Sequence, residues 1–159
     1  MGRLFVVVGP SGAGKDTLLA GAVAADQNLH WARRVITRPE VAGGEPFEGV
    51  SDAEFSTRLA RGDFALHWQA HGLRYGVPRA ELAALKDGRD VVVNGSRGAL
   101  ADALAQAVDD AQVRVVVFQG HETIFSAGND IGDFLNQPPS TQESPVFRFL
   151  RGIATFEKP

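Results

Sequence analysis

Cysteine is absent from the 159-residue chain, which rules out disulfides, thiolate metal sites and thiol nucleophiles and suits a cytoplasmic location. Long hydrophobic runs are missing too. The N-terminal RLFVVVG, residues 3–9, falls far short of the roughly 20 residues a membrane span needs, and no signal-peptide cleavage pattern follows it. Neither sign of charge dominates: the net charge is −3, so neither nucleic acid nor an anionic membrane is an expected partner. Internal repeats and low-complexity tracts are lacking as well. What is there is a soluble-globular composition, 44% hydrophobic and 22% charged, at a length that fits one domain with its own core.

Short β-branched runs alternate with segments of helical spacing. RLFVVVG reads as a buried strand. GKDTLLAGAVAAD then places Leu18, Leu19, Ala22 and Val23 on one side of a helix. ARRVITRP is a second strand candidate, stopped by Pro39, and EVAGGEPFEG is a loop. SDAEFSTRLARG predicts a helix with Ser51 as its cap, Glu54 completing a capping box and Gly62 ending it. FALHWQAHGLRYGVP reads as strand and turn, and PRAELAALKDG as a helix between Pro78 and Gly88. RDVVVNG is a strand like the first, SRGALADALAQAVDDA is helical, and QVRVVVF is again a strand. The alternation predicts an α/β fold with a parallel sheet flanked by helices. From Gly120 the texture changes: NQPPSTQESP is a polar, proline-rich loop, and Phe118, Phe125, Phe134, Phe147, Phe149 and Phe156 crowd the last segment. VFRFLRGIATF has helical character. The C-terminal segment is expected to be irregular and incomplete.

GPSGAGKD, Gly9 to Asp16, fits the pattern G-x-x-x-x-G-K and lies between a strand and a helix. The glycines let backbone N–H groups turn toward phosphate oxygens, the helix start contributes its positive dipole end, and Lys15 reaches the terminal phosphates. Gly9, Pro10, Ser11, Gly12, Ala13, Gly14, Lys15, Asp16 and Thr17 are the nucleotide-binding candidates. Asp16 stands where a hydroxyl usually meets Mg²⁺, so Asp16 and Thr17 are the metal candidates. ATP and Mg²⁺ are the expected cofactors.

GPSGAGKD, VITRP, VSDAEF, GDF, HGLRYGVP and GRDVVVNGSR resemble, in order, the guanylate-kinase-like group of P-loop kinases. The set GKDTLL, ITRP, HGLRYGV and DVVVNGSR is most similar to its ribose 1,5-bisphosphate phosphokinase branch, over about residues 1–104. That resemblance implies transfer of the ATP γ-phosphoryl group to ribose 1,5-bisphosphate, giving phosphoribosyl pyrophosphate in phosphonate metabolism. The partner would be a small phosphorylated sugar. Arg38 and Tyr75 match the family's phosphate-contact positions, and Arg38 with Lys15 are the catalytic candidates. Leu66 stands where a guanylate kinase has its guanine-reading carboxylate, Glu40 and Val41 stand where a second phosphate-binding arginine is expected, and Phe47 replaces an aromatic hydroxyl. A site that lacks its hydrogen-bond acceptor rejects a purine edge, so a nucleoside monophosphate is the alternative acceptor and a sugar bisphosphate the better one.

The strand DVVVN ends without the acid that most P-loop enzymes place there. Asp16 is the expected replacement. Asn94, Ser96 and Arg97 either lie near the acceptor or form a capped helix start with a solvated arginine. Arg33 and Arg34 either meet phosphate or form a solvated pair. His67 and His71 read as structural or substrate-contacting, not as metal ligands.

VRVVVFQGHETIFSAGNDIGDFL resembles the crotonase, or enoyl-CoA hydratase/isomerase, superfamily. The resemblance implies that the Asn129 N–H would serve an oxyanion hole and that Ala127 and Gly128 would give room to an acyl-CoA. The family's second oxyanion donor and its catalytic acids belong to later segments, and so does the kinase family's arginine-bearing lid. Arg148 and Arg151 are the available stand-ins for lid arginines. The expectation is a spliced chain: a kinase-like region over residues 1–104 and a crotonase-like fragment over 105–159, whose first strand extends the kinase sheet. Kinase activity impaired by the missing lid, or acyl-CoA binding without catalysis, are the readings that follow.

Overall fold

Residues 2–9, 12, 14–40, 47–96, 99–111, 113–119, 135–136 and 138–158 are described by a computed structural model. The chain divides into two units, Met1–Asp102 and Ala103–Pro159.

In the first unit, β1 (Leu4–Val7) leads through the glycine-rich loop into α1 (Lys15–Ala25). Three short strands follow: β2 (Leu29–Trp31), β3 (Arg34–Ile36) and β4 (Phe47–Gly49). Then come α2 (Asp52–Ala60), β5 (Phe64–Ala70), β6 (Leu73–Pro78), a 3₁₀ helix (Arg79–Leu85) and β7 (Asp90–Asn94). Two sheets result. One is parallel, with β7 between β1 and β2; the other has the order β4-β3-β6-β5.

The second sheet corrects the expectation of one parallel sheet. β3 pairs parallel with β4 but antiparallel with β6, and β5 pairs antiparallel with β6. The reason lies in the link between β5 and β6. His71 and Gly72 form a two-residue turn with φ of 52° and 72°. Such a turn joins only antiparallel strands, because a parallel pair needs a long crossover.

α2 forms where the cap predicts it: Ser51 Oγ accepts from the Glu54 N–H at 3.2 Å. The Glu54 carboxylate accepts from Arg58 Nε at 2.7 Å, and Glu48 accepts from Arg58 Nη2 at 2.7 Å. Its bond from Arg58 holds the Glu48 carboxyl below its usual range. The segment expected to be a helix over 78–88 tightens into the 3₁₀ helix. On α1 only Leu19 is buried, whereas Leu18 is exposed, so the apolar stripe is narrower than its spacing predicts.

Two apolar clusters carry the unit. Ala32, Trp68, Val77, Val91, Val93 and Ala99 form one, with Leu66, Tyr75, Leu82 and Leu85 among the residues packed against it. Val35, Phe55 and Phe64 form the other, backed by Val50 and Leu59. Gly76 on β6 is needed for that second cluster: a Cβ there would stand 2.6 Å from the Phe64 ring.

The division between the units falls inside α3 (Ala99–Asp109). In the second unit, Lys158 Nζ donates to the carbonyls of Ala107 and Asp110 at 2.7 Å each, neutralising acceptors at the end of α3. The predicted C-terminal helix forms as α4 (Pro145–Ala154), with Phe149 edge-on to Phe118 at 5.8 Å. Arg151 pairs with Glu143 at 3.6 Å, an exposed bridge. Of the strand expected over 112–118, the described residues 113–119 carry no regular element, and Val117 is 79% exposed. β-branched residues outside a sheet leave their backbone to water. The SAGND stretch, residues 126–130, lies outside the described residues, as do the roles expected of Ala127, Gly128 and Asn129.

Candidate active site

The site is built where β1 ends and α1 begins, facing the end of β7. Gly12 and Gly14 adopt φ of 75° and 77°, a left-handed conformation that strains any residue with a Cβ. Gly14 is the cap residue of α1, and no side chain caps that helix. Its first N–H groups are thus directed toward the loop. Lys15 opens the helix and its Nζ donates to the Gly9 carbonyl at 3.2 Å. Asp16 is half-buried beside it, and Thr17 is exposed. Pro10, Ser11 and Ala13, also expected in this loop, lie outside the described residues.

β7 runs parallel to β1, with Val7 opposite Asn94. That register brings Asn94, the last residue of β7, beside the start of α1. Its side-chain amide Nδ2 donates to Asp16 Oδ1. Asp16 and Asn94 are 78 residues apart in sequence. The strand end that lacks an acid therefore meets the helix residue that has one. Gly95 permits the approach, because a Cβ there would stand 2.8 Å from Val6 Cγ1 on β1.

β3 supplies a second wall, joined to the end of β7 by Arg34. Arg34 and Arg33, alternatives for phosphate contact or a solvated pair, part company. Arg33 is exposed and donates to Glu40 and to the Phe47 carbonyl. Arg34 is 8% exposed, and its Nη1 donates to the Asn94 carbonyl at 2.6 Å. Its guanidinium lies 5.3 Å from the Tyr75 ring and 5.8 Å from the Trp68 ring, and those two rings stack at 5.4 Å. Burial pushes Arg34 down to about 10; the charges of Tyr75 and Asp16 pull it back up, and Arg38 presses it lower. It remains a cation at neutral pH.

Arg38 follows β3 and rests 4.3 Å from the Phe47 ring, with its Nε buried and no hydrogen-bond partner for that atom among the described residues. Tyr75 sits on β6 opposite Ile36 of β3. Arg34 and Tyr75 thus belong to neighbouring strands of one sheet, and Arg38 follows the first of them. Ser96 has a different role: its Oγ and carbonyl both accept from the Ala99 N–H, at 3.2 and 3.0 Å, which caps the start of α3. Arg97 lies outside the described residues. His71 is committed to the β5–β6 turn. Leu66 packs against the apolar cluster and offers no carboxylate. Among the described residues no group of three His, Cys, Asp or Glu side chains could hold a metal by itself.

The residue that sequence reasoning undervalued is Arg34. On a strand, Arg34 and Ile36 share one face and Arg33 takes the other, which separates the two arginines. That alternation was the available signal.

Comparison with known proteins follows the same division. The bifunctional ribose 1,5-bisphosphokinase-thymidine phosphorylase of Cupriavidus necator is 45% identical over 150 residues, 91% of this chain and 25% of that protein. The ribose 1,5-bisphosphate phosphokinase PhnN of Ruegeria sp. is 50% identical over 113 residues, 70% of this chain and 58% of that protein. The chain therefore spans at most 58% of these two relatives. Guanylate kinase from Anaplasma phagocytophilum shares the fold, with a TM-score of 0.52 at 19% identity over 70% of this chain and 55% of that one. The enoyl-CoA hydratase/isomerase family model matches residues 94–159. This match overlaps the likeness to the Cupriavidus protein, whose 91% coverage must run into the same segment. The chain belongs to the ribose 1,5-bisphosphate phosphokinase family, with a guanylate-kinase-like fold and a crotonase-like C-terminal segment.

Proposed function

We propose that the chain transfers the γ-phosphoryl group of ATP to ribose 1,5-bisphosphate, releasing ADP and phosphoribosyl pyrophosphate. The observation that carries this reading is the linking of two walls through Asn94. One is the glycine-turned start of α1 with Lys15 and Asp16. The other is the cationic, aromatic surface of Arg34, Arg38 and Tyr75. The first wall suits a nucleoside triphosphate, and the second suits an anionic acceptor.

The chemistry needs little else. An oxygen of the acceptor's 1-phosphate is already ionised at neutral pH, so it attacks the γ-phosphorus without a general base. The bond from the γ-phosphorus to its bridging oxygen breaks, and that oxygen leaves with ADP. Lys15 places positive charge where negative charge develops on the leaving and transferred groups. Arg38 and Tyr75 orient the acceptor phosphate. Asp16 and Thr17 would hold Mg²⁺, which supplies charge neutralisation for the triphosphate when bound. A hard carboxylate oxygen fits that ion. Mg²⁺ takes one or two carboxylates plus substrate phosphates, so no larger protein cage is required. Leu66, packed on an apolar cluster, gives a guanine edge no acceptor.

The test is a ³¹P NMR time course with Mg-ATP and either ribose 1,5-bisphosphate or GMP. Phosphoribosyl pyrophosphate from the sugar and no GDP is the expected result. GDP alone would favour a nucleoside monophosphate kinase. Binding of acyl-CoA but not of ATP would favour the crotonase-like segment as the functional part. Replacing Asp16 by alanine is expected to raise the Mg²⁺ concentration needed for half-maximal turnover by about tenfold; an unchanged Mg²⁺ dependence would remove Asp16 from the metal site.

A further inference from the structure

Three departures from ordinary P-loop architecture meet at one point. An acid follows the lysine of the loop, an amide stands where the acid of the neighbouring strand is expected, and an arginine is buried behind that amide. The structure links them in series. Arg34 Nη1 donates to the Asn94 carbonyl at 2.6 Å, and Asn94 Nδ2 donates to Asp16 Oδ1. We infer that Arg34 is a positioning residue. Its guanidinium fixes the end of β7, and through Asn94 it fixes the carboxylate of Asp16. This inference rests on the reading of Asp16 as the metal-facing group.

The physical case begins with the cost of Arg34. A buried guanidinium gives up hydration that its partners must replace, and an apolar side chain of similar volume would serve stability as well or better. Arg34 donates to a carbonyl and lies against two ring faces, and burial lowers its affinity for the proton. Such a group has a reason to be there if what it holds must not move.

Asn94 is the last residue of β7, and Gly95 after it donates to the Val7 carbonyl of β1 at 2.8 Å. The bond to Arg34 ties Asn94 across to β3, which belongs to the other sheet. The rings of Trp68 and Tyr75 in turn limit where the guanidinium can lie. With its main chain held by Arg34, the Asn94 amide reaches Asp16 Oδ1. Committing Oδ1 to an amide leaves the charge of Asp16 intact and leaves Oδ2 outside that bond. A lysine in place of Arg34 can keep the charge, but it cannot keep both the planar stacking and the fixed donor direction.

The experiment reads the position of the amide directly and then its consequence. In the full chain, ¹⁵N NMR follows the Asn94 side-chain NH₂ pair in the wild type, in Arg34→Lys and in Asp16→Ala. The expected result is that Arg34→Lys moves the pair toward the shifts seen in Asp16→Ala, where the bond cannot form. Titration with ATP, with and without Mg²⁺, gives the second readout. Arg34→Lys should lose about tenfold in the Mg²⁺-dependent gain in ATP affinity and little in metal-free ATP affinity. In an Asn94→Ala background the same Arg34→Lys change should have no further effect on that gain, because the link is already cut. Three results would overturn the inference: an unmoved Asn94 amide in Arg34→Lys, an equal loss in ATP affinity with and without Mg²⁺, or additive losses in the double variant. A wild-type chain that binds no ATP would instead defeat the proposed function, and the amide shifts would still decide whether Arg34 positions Asp16.

Discussion

Lys15→Ala is expected to lower the rate of phosphoryl transfer by about 10²- to 10³-fold, the scale of losing one preorganised donor from developing charge. Nucleotide should still bind, more weakly, because the glycine-turned backbone and the start of α1 remain. Stability should hardly change. Lys15 Nζ makes a 3.2 Å bond to the Gly9 carbonyl, a part-buried contact in which water can replace the lysine. A net hydrogen bond of this sort contributes about 1 kcal/mol. The measurement is kcat and KM for ATP beside a melting curve. A large fall in kcat with an almost unmoved Tm assigns Lys15 to the transition state. A parallel collapse of Tm would mean that the lysine holds the loop together, and the rate loss would then say nothing about charge.

Some of this architecture could be read from local sequence, and the reasons are visible in particular residues. The strand of residues 90–94 was legible because Val91, Val92 and Val93 are buried on both faces, so the run is continuous and β-branched. The helix of residues 52–60 was legible from Ser51 and Glu54, since a cap is a local bond. The phosphate loop was legible because its glycines answer a backbone requirement that only glycine meets easily.

What stayed hidden depends on distant partners. β2, β3 and β4 are three residues each, and their length is set by neighbours in the sheet, not by their own composition. The sheet containing β3 turned out mixed because of the two-residue turn at His71 and Gly72, a signal present in the sequence but outweighed by the alternation of strands and helices. The run at 113–119 has the composition of a strand, yet those residues carry no regular element. Arg34 illustrates the same limit in the site. Its burial comes from Trp68 and Tyr75 on two other strands, and no local feature of ARRVITRP shows them. The meeting of Asp16 with Asn94 was foreshadowed only as paired departures, an acid gained in one place and lost in another.

Phe55→Ala is expected to cost about 3 to 5 kcal/mol, which lowers Tm by roughly 6 to 20 °C for a chain of this size. Phe55 is 1% exposed on α2 and stacks on Phe64 at 4.6 Å, with the Arg74 guanidinium 4.4 Å from its ring. It shares its cluster with Val35, the residue after Arg34 on β3. Removing the ring opens a cavity that Val35, Phe64 and Leu59 can refill only by moving the helix or the strand. Because β3 also carries the cationic wall, the loss should appear in acceptor affinity before unfolding is complete. Phe147→Ala on α4 is the matched control: that ring is 41% exposed, and surface truncations usually stay within about 0.5 kcal/mol. Calorimetry of both variants tests the contrast. If Phe55→Ala melted like the wild type, the second cluster would not support β3, and the rigidity of the acceptor wall would have to come from the Trp68–Tyr75 stack alone.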